Sequence, residues 1–588
     1  MQGDETSRLR FLASIVLLFG VLFITRLYYL QVIHGKDFRK EAESQYVSTM
    51  PNIYDRGSIF FQQKDGKKVA AASVTSGYVI AITPKDIEDR DAAFAAIVLA
   101  APNLDREEFM AKAKKTDDPY EEVASRVPDA AAEALLEREI PGVKIYRQTW
   151  RSYPAGSLAA QVIGFVGYKG DELTGRYGLE SYYNDVLMRS EKDLYVNFFA
   201  ELFSNLNDTL FDRKAEEGGD LVLTIEPTVQ AFLENELEGV MEEWHSDETG
   251  AIIMDPETGA ILAMATNPTF DLNEYGKVKE QSLFANPSVQ DVYEMGSIMK
   301  PITMASGLDA GAVSEQTTYN DTGHLTLNNK TFGNHDGRGR GPNTTMQQVL
   351  NDSLNTGVAF VVSRLGNQRF SDYLLQRFHV GEETGVDLPG EREGLTANLS
   401  SKRDIEFATA SFGQGIALSP INMVSSLAIL GNGGHTITPH VVSRIEYVSG
   451  KVKVMTQTPP EQVLEPGTSE RITRMLVNVV DKALLGGTVK IPEYSIAAKT
   501  GTAQIHDPSG GYYEDRYLHT FFGYFPAYDP KFIVFFYTYH PKNGATFASH
   551  TLTHPFIRTA KFLLHYYNVP PDRAGGSATL TGTRSAAR

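Results

Sequence analysis

Residues 11–24 read FLASIVLLFGVLFI, an unbroken run of apolar or small residues, and this run restricts the fate of the chain more than any other stretch. Alone, its length matches a signal-peptide core better than a spanning helix. Past Arg26, however, the run continues as LYYLQVI to residue 33. Arg26 can lay its stem along the apolar surface and lift its charge to the interface, where Tyr28 and Tyr29 also sit well. No small-x-small cleavage site follows the apolar core, so residues 11–33 are expected to remain as a single transmembrane anchor behind a short N-terminus at 1–10. Arg8 and Arg10 precede the span and Lys36, Arg39 and Lys40 follow it, so the basic residues do not set its orientation.

The rest of the chain is far larger than its tether. At 588 residues it is expected to form two to four domains. Its 42% hydrophobic and 22% charged residues are those of a folded protein. A formal charge of −18 argues against nucleic acid as a partner, since collecting phosphates needs a basic face. The absence of cysteine removes thiol nucleophiles, disulfides and thiolate metal sites together.

From about residue 50 to 225, short β-branched runs (GYVIAIT, GVKIYRQTW, LVLTI) alternate with helical stretches such as DAAAEALLERE, an α+β module without a catalytic-looking cluster. From 226 the segments lengthen. TVQAFLENELEGVMEEW reads as a helix, and GAIIMD and GAILAMAT flank a Pro256–Gly259 turn as a hairpin. SIAAKTGTA, HTFFGYFP and KFIVFFYTY read as three strands able to pair in one sheet. The small, polar tail from 569 to 588 is expected to be disordered.

Three short motifs carry possible chemistry. In EMGSIMKP, Ser297 precedes Lys300 by three residues, and by itself the pair is as well read as a helix N-cap ahead of Pro301. At that spacing on a helix, though, the two side chains share a face, and a neutral lysine amine could take the serine proton. Ser353-Leu354-Asn355 reads alone as a polar turn, and Lys499-Thr500-Gly501 as a strand running into a turn. Together and in this order, S-x-x-K, S-x-N and K-T-G are the signature of active-site-serine penicillin-recognising enzymes. No H-E-x-x-H, P-loop or G-x-S-x-G elbow is present. Gly413-Gln414-Gly415 lacks the third glycine of a dinucleotide fingerprint, and His335-Asp336 in NHDGRGRGPN reads as a solvated turn rather than a metal site.

With these motifs in place the chain resembles a class B penicillin-binding protein, a monofunctional peptidoglycan D,D-transpeptidase, along nearly its whole length. YDRGSI, RSYPAGSLAAQVIGFVG, GLESYYNDVL, MDPETGAILAMATNPTFDLN, SFGQGIALSPINM and HTFFGYFPAYDP add to the resemblance. Met295 departs from it, standing where the family usually has proline, as does Glu226 in place of aspartate. The resemblance implies an α+β multidomain fold: anchor, elongated pedestal at 34–225, and at 226–568 a transpeptidase domain with an antiparallel sheet flanked by helices, as in serine β-lactamases. It implies Ser297 as nucleophile on a D-Ala-D-Ala carbonyl, Lys300 as acylation base, Ser353 as proton relay and Asn355 as donor-peptide ligand. Lys499 would keep the field positive, Thr500, Gly501 and Thr502 would bind the substrate carboxylate, and the amides of Ser297 and Thr502 would form the oxyanion hole.

No metal or organic cofactor is required by this chemistry. The implied partners are donor and acceptor stem peptides, β-lactam antibiotics, and, through the pedestal, a polytopic SEDS-type glycan polymerase and other divisome or elongasome membrane proteins. The implied location is the cytoplasmic membrane, with the bulk of the chain outside. The S-L-N tripeptide leans towards the septal, division-type group over the elongation type. A β-lactamase or β-lactam sensor would share the acylation triplet, and a catalytically silent scaffold activating a polymerase is the alternative from another class.

Overall fold

The computed structural model describes residues 56–170, 172–188, 218–455 and 458–573. The apolar run at 11–33 lies outside the described residues, and among those described no helix is long and apolar enough to cross a membrane.

The N-terminal module is organised by one long strand. After β1 (Ile59–Gln62), β2 (Lys68–Ile82) pairs antiparallel first with β1 and then, from Ser73 onward, with β4 (Val143–Ser152), while β3 (Glu121–Val127) takes its other edge. The helices α1 (Arg90–Ala100), α2 (Arg106–Ala113) and α3 (Asp129–Leu136) lie beside this end. Asp89 and Asp105 accept backbone N–H bonds at the starts of α1 and α2. Ile80, Ile82, Ile97, Phe109 and Leu135 form a small core there.

Three motifs of the resemblance meet in this module. Glu180, fully buried in α4 (Gly178–Tyr182), accepts from Arg56 Nε at 2.7 Å through one carboxylate oxygen and from Arg151 Nε at 2.6 Å through the other. Arg151 also donates to the Gly57 carbonyl at 2.8 Å. A β-carbon on Gly57 would stand 2.0 Å from the carbonyl oxygen of Gly219, so glycine is needed where this backbone meets β5 (Gly219–Leu223).

β5 lies parallel to β1, and its other edge is taken by a strand from far along the chain, β10 (Val442–Tyr447), which pairs in turn with β11 (Val452–Val454). The sheet order is thus β11-β10-β5-β1-β2-β3, with β4 also on β2. One sheet therefore contains strands from both halves of the molecule. Asp387 reinforces the junction, accepting from the amides of Val441 and Val442 and from the Tyr183 hydroxyl.

The C-terminal half is built on a five-stranded antiparallel sheet. Its order is β12-β13-β14-β6-β7, with β6 (Glu248–Met254) and β7 (Ile261–Asn267) forming the expected hairpin. β12 (Ala497–His506), β13 (Tyr512–Phe525) and β14 (Phe532–Tyr539) are adjacent, as the three runs had indicated. Because side chains alternate across a strand, a sheet covered on both faces must be apolar at both parities. Phe521, Phe525, Val534 and Phe536 face one core with α5 (Pro227–Trp244) and α10 (Thr553–Tyr566); Phe522, Tyr524, Phe535 and Tyr537 face the other, with the helix that follows Ser297.

Glu226 has a clear role. Its carboxylate accepts from the Val229 amide at 2.7 Å, capping α5, and from the Tyr566 hydroxyl at 2.8 Å. The chain expected to be free from 569 is held as far as Arg573: Asp572 accepts from the Ser495 amide, and Arg573 pairs with Asp481 at 2.9 Å.

Candidate active site

Ser297 lies in a tight 3-10 turn, Gly296–Met299, that runs directly into α6 (Lys300–Asp309), with Pro301 in its first turn. Its side chain makes no capping hydrogen bond, so the N-cap reading of this serine does not describe what it does. Surrounding backbone sets the turn. Gly296 has φ +64°, its amide donates to the Gly413 carbonyl at 3.2 Å, and the Thr520 hydroxyl donates to the Met295 carbonyl at 2.9 Å. Met295 is buried with φ −78°, close to the angle a proline ring imposes, so the turn keeps its geometry without the usual residue. Gly501 packs against this turn. A β-carbon there would stand 2.8 Å from the Met295 carbonyl oxygen and 2.3 Å from Thr520 Oγ1, so Gly501 serves close approach of β12 and does not line the cleft.

Two lysines and one hydroxyl form the polar centre. Lys300, with 0% of its surface exposed, donates from Nζ to the Ser353 carbonyl at 2.5 Å and lies 3.2 Å from Ser353 Oγ. Lys499, 3% exposed, reaches the same Oγ at 2.9 Å and the Thr500 carbonyl at 3.0 Å. Ser353 occupies the left-handed region at φ +53°, between two helices, which turns both its carbonyl and its hydroxyl towards the amines. Burial pulls the Lys499 amine down to about 7. Burial, and then the adjacent Lys499 charge, hold Lys300 well below the ordinary lysine range. Of the two amines, Lys300 is the one that both burial and a neighbouring cation push towards the neutral, proton-accepting form.

These groups open onto a cleft of about 760 Å³ lined by Ser297, Ser353, Asn355, Lys499, Thr500 and Thr502, with His335 and Phe547 at its walls. Asn355 begins α7 (Asn355–Leu365); its Nδ2 is held by the Gly333 carbonyl at 2.8 Å, which leaves Oδ1 to accept from a ligand. The Thr502 hydroxyl accepts from the Ala548 amide at 3.1 Å, so its own proton is available to an anion. Among the described residues β12 is an edge strand, and no neighbouring strand occupies the backbone N–H groups on its cleft side.

All eight residues expected at the site thus converge on one cleft and its immediate support. Three more were passed over: Gly413 and Thr520, which hold the Ser297 turn, and Ala548, which orients Thr502; His335 lies in an exposed turn, as read, at the wall of the cleft. Gly413 was visible within SFGQGIALSPINM, but nothing local in that run shows that its glycine touches Gly296.

The penicillin binding protein transpeptidase domain matches residues 249–558, and the penicillin-binding protein dimerisation domain matches residues 53–223. Stage V sporulation protein D of Bacillus subtilis is 30% identical over 553 residues, covering 92% of this chain and 83% of that protein. The peptidoglycan D,D-transpeptidase FtsI of Escherichia coli is 25% identical, covering 96% and 92%. The fold is also that of penicillin binding protein 3 of Mycobacterium tuberculosis, solved with aztreonam, at a TM-score of 0.66, 23% identity, and coverage of 88% of this chain and 97% of that one. With a transpeptidase domain and a dimerisation domain in one chain, this protein belongs to the class B penicillin-binding proteins.

Proposed function

We propose that the protein cross-links peptidoglycan in the septal wall, through an acyl-enzyme on Ser297, while held in the cytoplasmic membrane by residues 11–33 with its bulk outside. The observation that carries the chemistry is the single Ser353 oxygen lying 3.2 Å from Lys300 Nζ and 2.9 Å from Lys499 Nζ at the floor of the Ser297 cleft. Neutral Lys300 takes the Ser297 proton as Oγ adds to the penultimate D-alanine carbonyl of a donor stem peptide. The developing oxyanion is received by the amides of Ser297 and Thr502, each such donor contributing about 3 kcal/mol in comparable sites. The proton passes by way of Ser353 to the leaving amine, terminal D-alanine departs, and an acceptor amine resolves the ester into a cross-link. Asn355 Oδ1 binds the donor amide, while Lys499, Thr500 and Thr502 receive the terminal carboxylate, and that of a β-lactam in its place. The Ser353-Leu354-Asn355 tripeptide supports the septal assignment, and the N-terminal module supplies the face for a membrane-embedded glycan polymerase.

The test is labelled penicillin on the full-length protein. A stable adduct on Ser297, lost in Ser297→Ala, is expected; rapid hydrolytic turnover would show a β-lactamase instead. A fluorescent fusion is expected at the septum, and uniform side-wall signal would assign the elongation role. Normal cross-linking in cells carrying only Ser297→Ala would leave a scaffold as the answer.

A further inference from the structure

Resolving the acyl-enzyme poses a problem that forming it does not. The acceptor arrives as an ammonium ion, since a primary alkyl amine titrates near the lysine value of about 10.4. An ammonium has no lone pair, so a proton must leave before the C–N bond forms. Lys300 is poorly placed for this, with no exposed surface and its amine already engaged by Ser353.

We propose that His335 is the base that deprotonates the acceptor amine at the mouth of the cleft, a reading that rests on the transpeptidase assignment. The turn carrying it is clamped on both sides. Asp321, 2% exposed at the end of β8 (Thr318–Asp321), accepts from the Thr356 hydroxyl at 2.8 Å, the Arg340 amide at 3.0 Å and Asn334 Nδ2 at 3.1 Å. Thr356 lies next to Asn355 and Asn334 next to His335, so one buried carboxylate fixes the Asn355 wall and the histidine turn together. Beyond the histidine, Asp336 pairs with Arg340 at 2.9 Å.

The imidazole itself is left uncommitted. It lines the cleft with Ser297 and Asn355, meets Phe547 of the opposite wall edge-on at 5.7 Å, and makes no hydrogen bond among the described residues. The titratable and charged groups facing it are Asp336 on its own turn, Arg340 beyond it, and Lys300 and Lys499 from the floor. Desolvation against the cleft wall, aided by the cations Arg340 and Lys499 and opposed by Asp336, lowers its pKa from the ordinary histidine value, so the neutral imidazole prevails at pH 7.

The step balances. His335 takes one proton from R–NH3+; the amine nitrogen adds to the Ser297 ester carbonyl; the C–N bond forms and the C–Oγ bond breaks. The second N–H proton returns to Ser297 Oγ by way of Ser353 and then Lys300, the reverse of the acylation relay, and the imidazolium releases its proton to water.

The test uses full-length protein in detergent, an acyl-D-alanyl thioester as donor, and glycine amide or D-alanine as acceptor, and measures the ratio of amine transfer to hydrolysis. For His335→Gln, transfer at pH 7 is expected to fall about 100-fold, with thioester acylation and hydrolysis altered far less. Transfer by the variant should also keep rising with pH towards the pKa of the acceptor amine, whereas wild-type transfer levels off above the imidazole pKa. Parallel loss of transfer and hydrolysis, or an unchanged ratio, would overturn the proposal. A wild-type protein that acylates and hydrolyses but never transfers would overturn the transpeptidase assignment as well, and is told apart by its failure before any substitution is made.

Discussion

Gly296 and Gly413 meet backbone to backbone: the Gly296 amide donates to the Gly413 carbonyl at 3.2 Å, and a β-carbon on Gly413 would stand 2.4 Å from the Gly296 carbonyl oxygen. With φ +78°, Gly413 occupies a conformation that other residues adopt only under strain. Gly413→Ala is therefore expected to displace the nucleophile turn and slow acylation by labelled penicillin at least about tenfold, the equivalent of about 1.4 kcal/mol. Acylation at the wild-type rate would show that the contact does not aim Ser297.

Burying Lys300 costs stability in the service of chemistry. Its folded pKa lies below its unfolded one, so the unfolded chain binds more protons between the two values, and this residue makes stability rise with pH across that window. Lys300→Met preserves the stem and removes the charge. It is expected to abolish acylation and to stabilise the fold by about 0.5–2 kcal/mol in chemical denaturation, with the gain greatest at acid pH and fading as pH approaches 10.5. A destabilised variant at all pH values would mean that the bonds to Ser353 outweigh desolvation.

The two lysines also shape the pH profile of acylation. Acid protonates Lys300 and removes the base. Alkali removes the Lys499 proton, with its pKa near 7, and weakens attraction for the substrate carboxylate. The second-order rate with an anionic penicillin is expected to decline on the alkaline side of about pH 7, and Lys499→Arg, always charged, should abolish that decline. An alkaline limb that survives in Lys499→Arg would assign it elsewhere.

Glu180 makes a separate prediction, far from the cleft. Glu180→Gln leaves Arg56 and Arg151 with buried guanidinium groups and no neutralising carboxylate. It is expected to cost about 3–5 kcal/mol of folding stability, read as a lower urea midpoint. Penicillin acylation of the protein that remains folded should be close to normal.

Much of the site was legible because its motifs are local. The apolar runs at 495–503, 519–526 and 531–539 marked strands able to share a sheet, and the Lys499 motif proves to fall on its edge strand. What escaped the sequence depends on contacts between distant segments. Gly501 looked like a ligand-facing glycine and proves to be a packing glycine because Met295 and Thr520 lie against it. His335 looked like part of a free turn because its clamp, Asp321, belongs to another strand. Residues 442–454 carried no sign that they would leave the C-terminal half and complete the N-terminal sheet. The anchor at 11–33 is a reading of hydropathy, and its orientation follows from the resemblance.

That shared sheet imposes an order on biosynthesis. β1, β2 and β5 leave the ribosome early, but β5 keeps an open edge until β10 and β11 have been made, after residue 442. An unpaired strand edge is a template for wrong partners. The N-terminal module must therefore be kept from self-association while most of the transpeptidase domain is still being synthesised, and its last strands arrive only once the segments bearing Ser297, Ser353 and Asn355 have been made. Completion of the pedestal thus certifies that the segments bearing two of the three motifs have already been made.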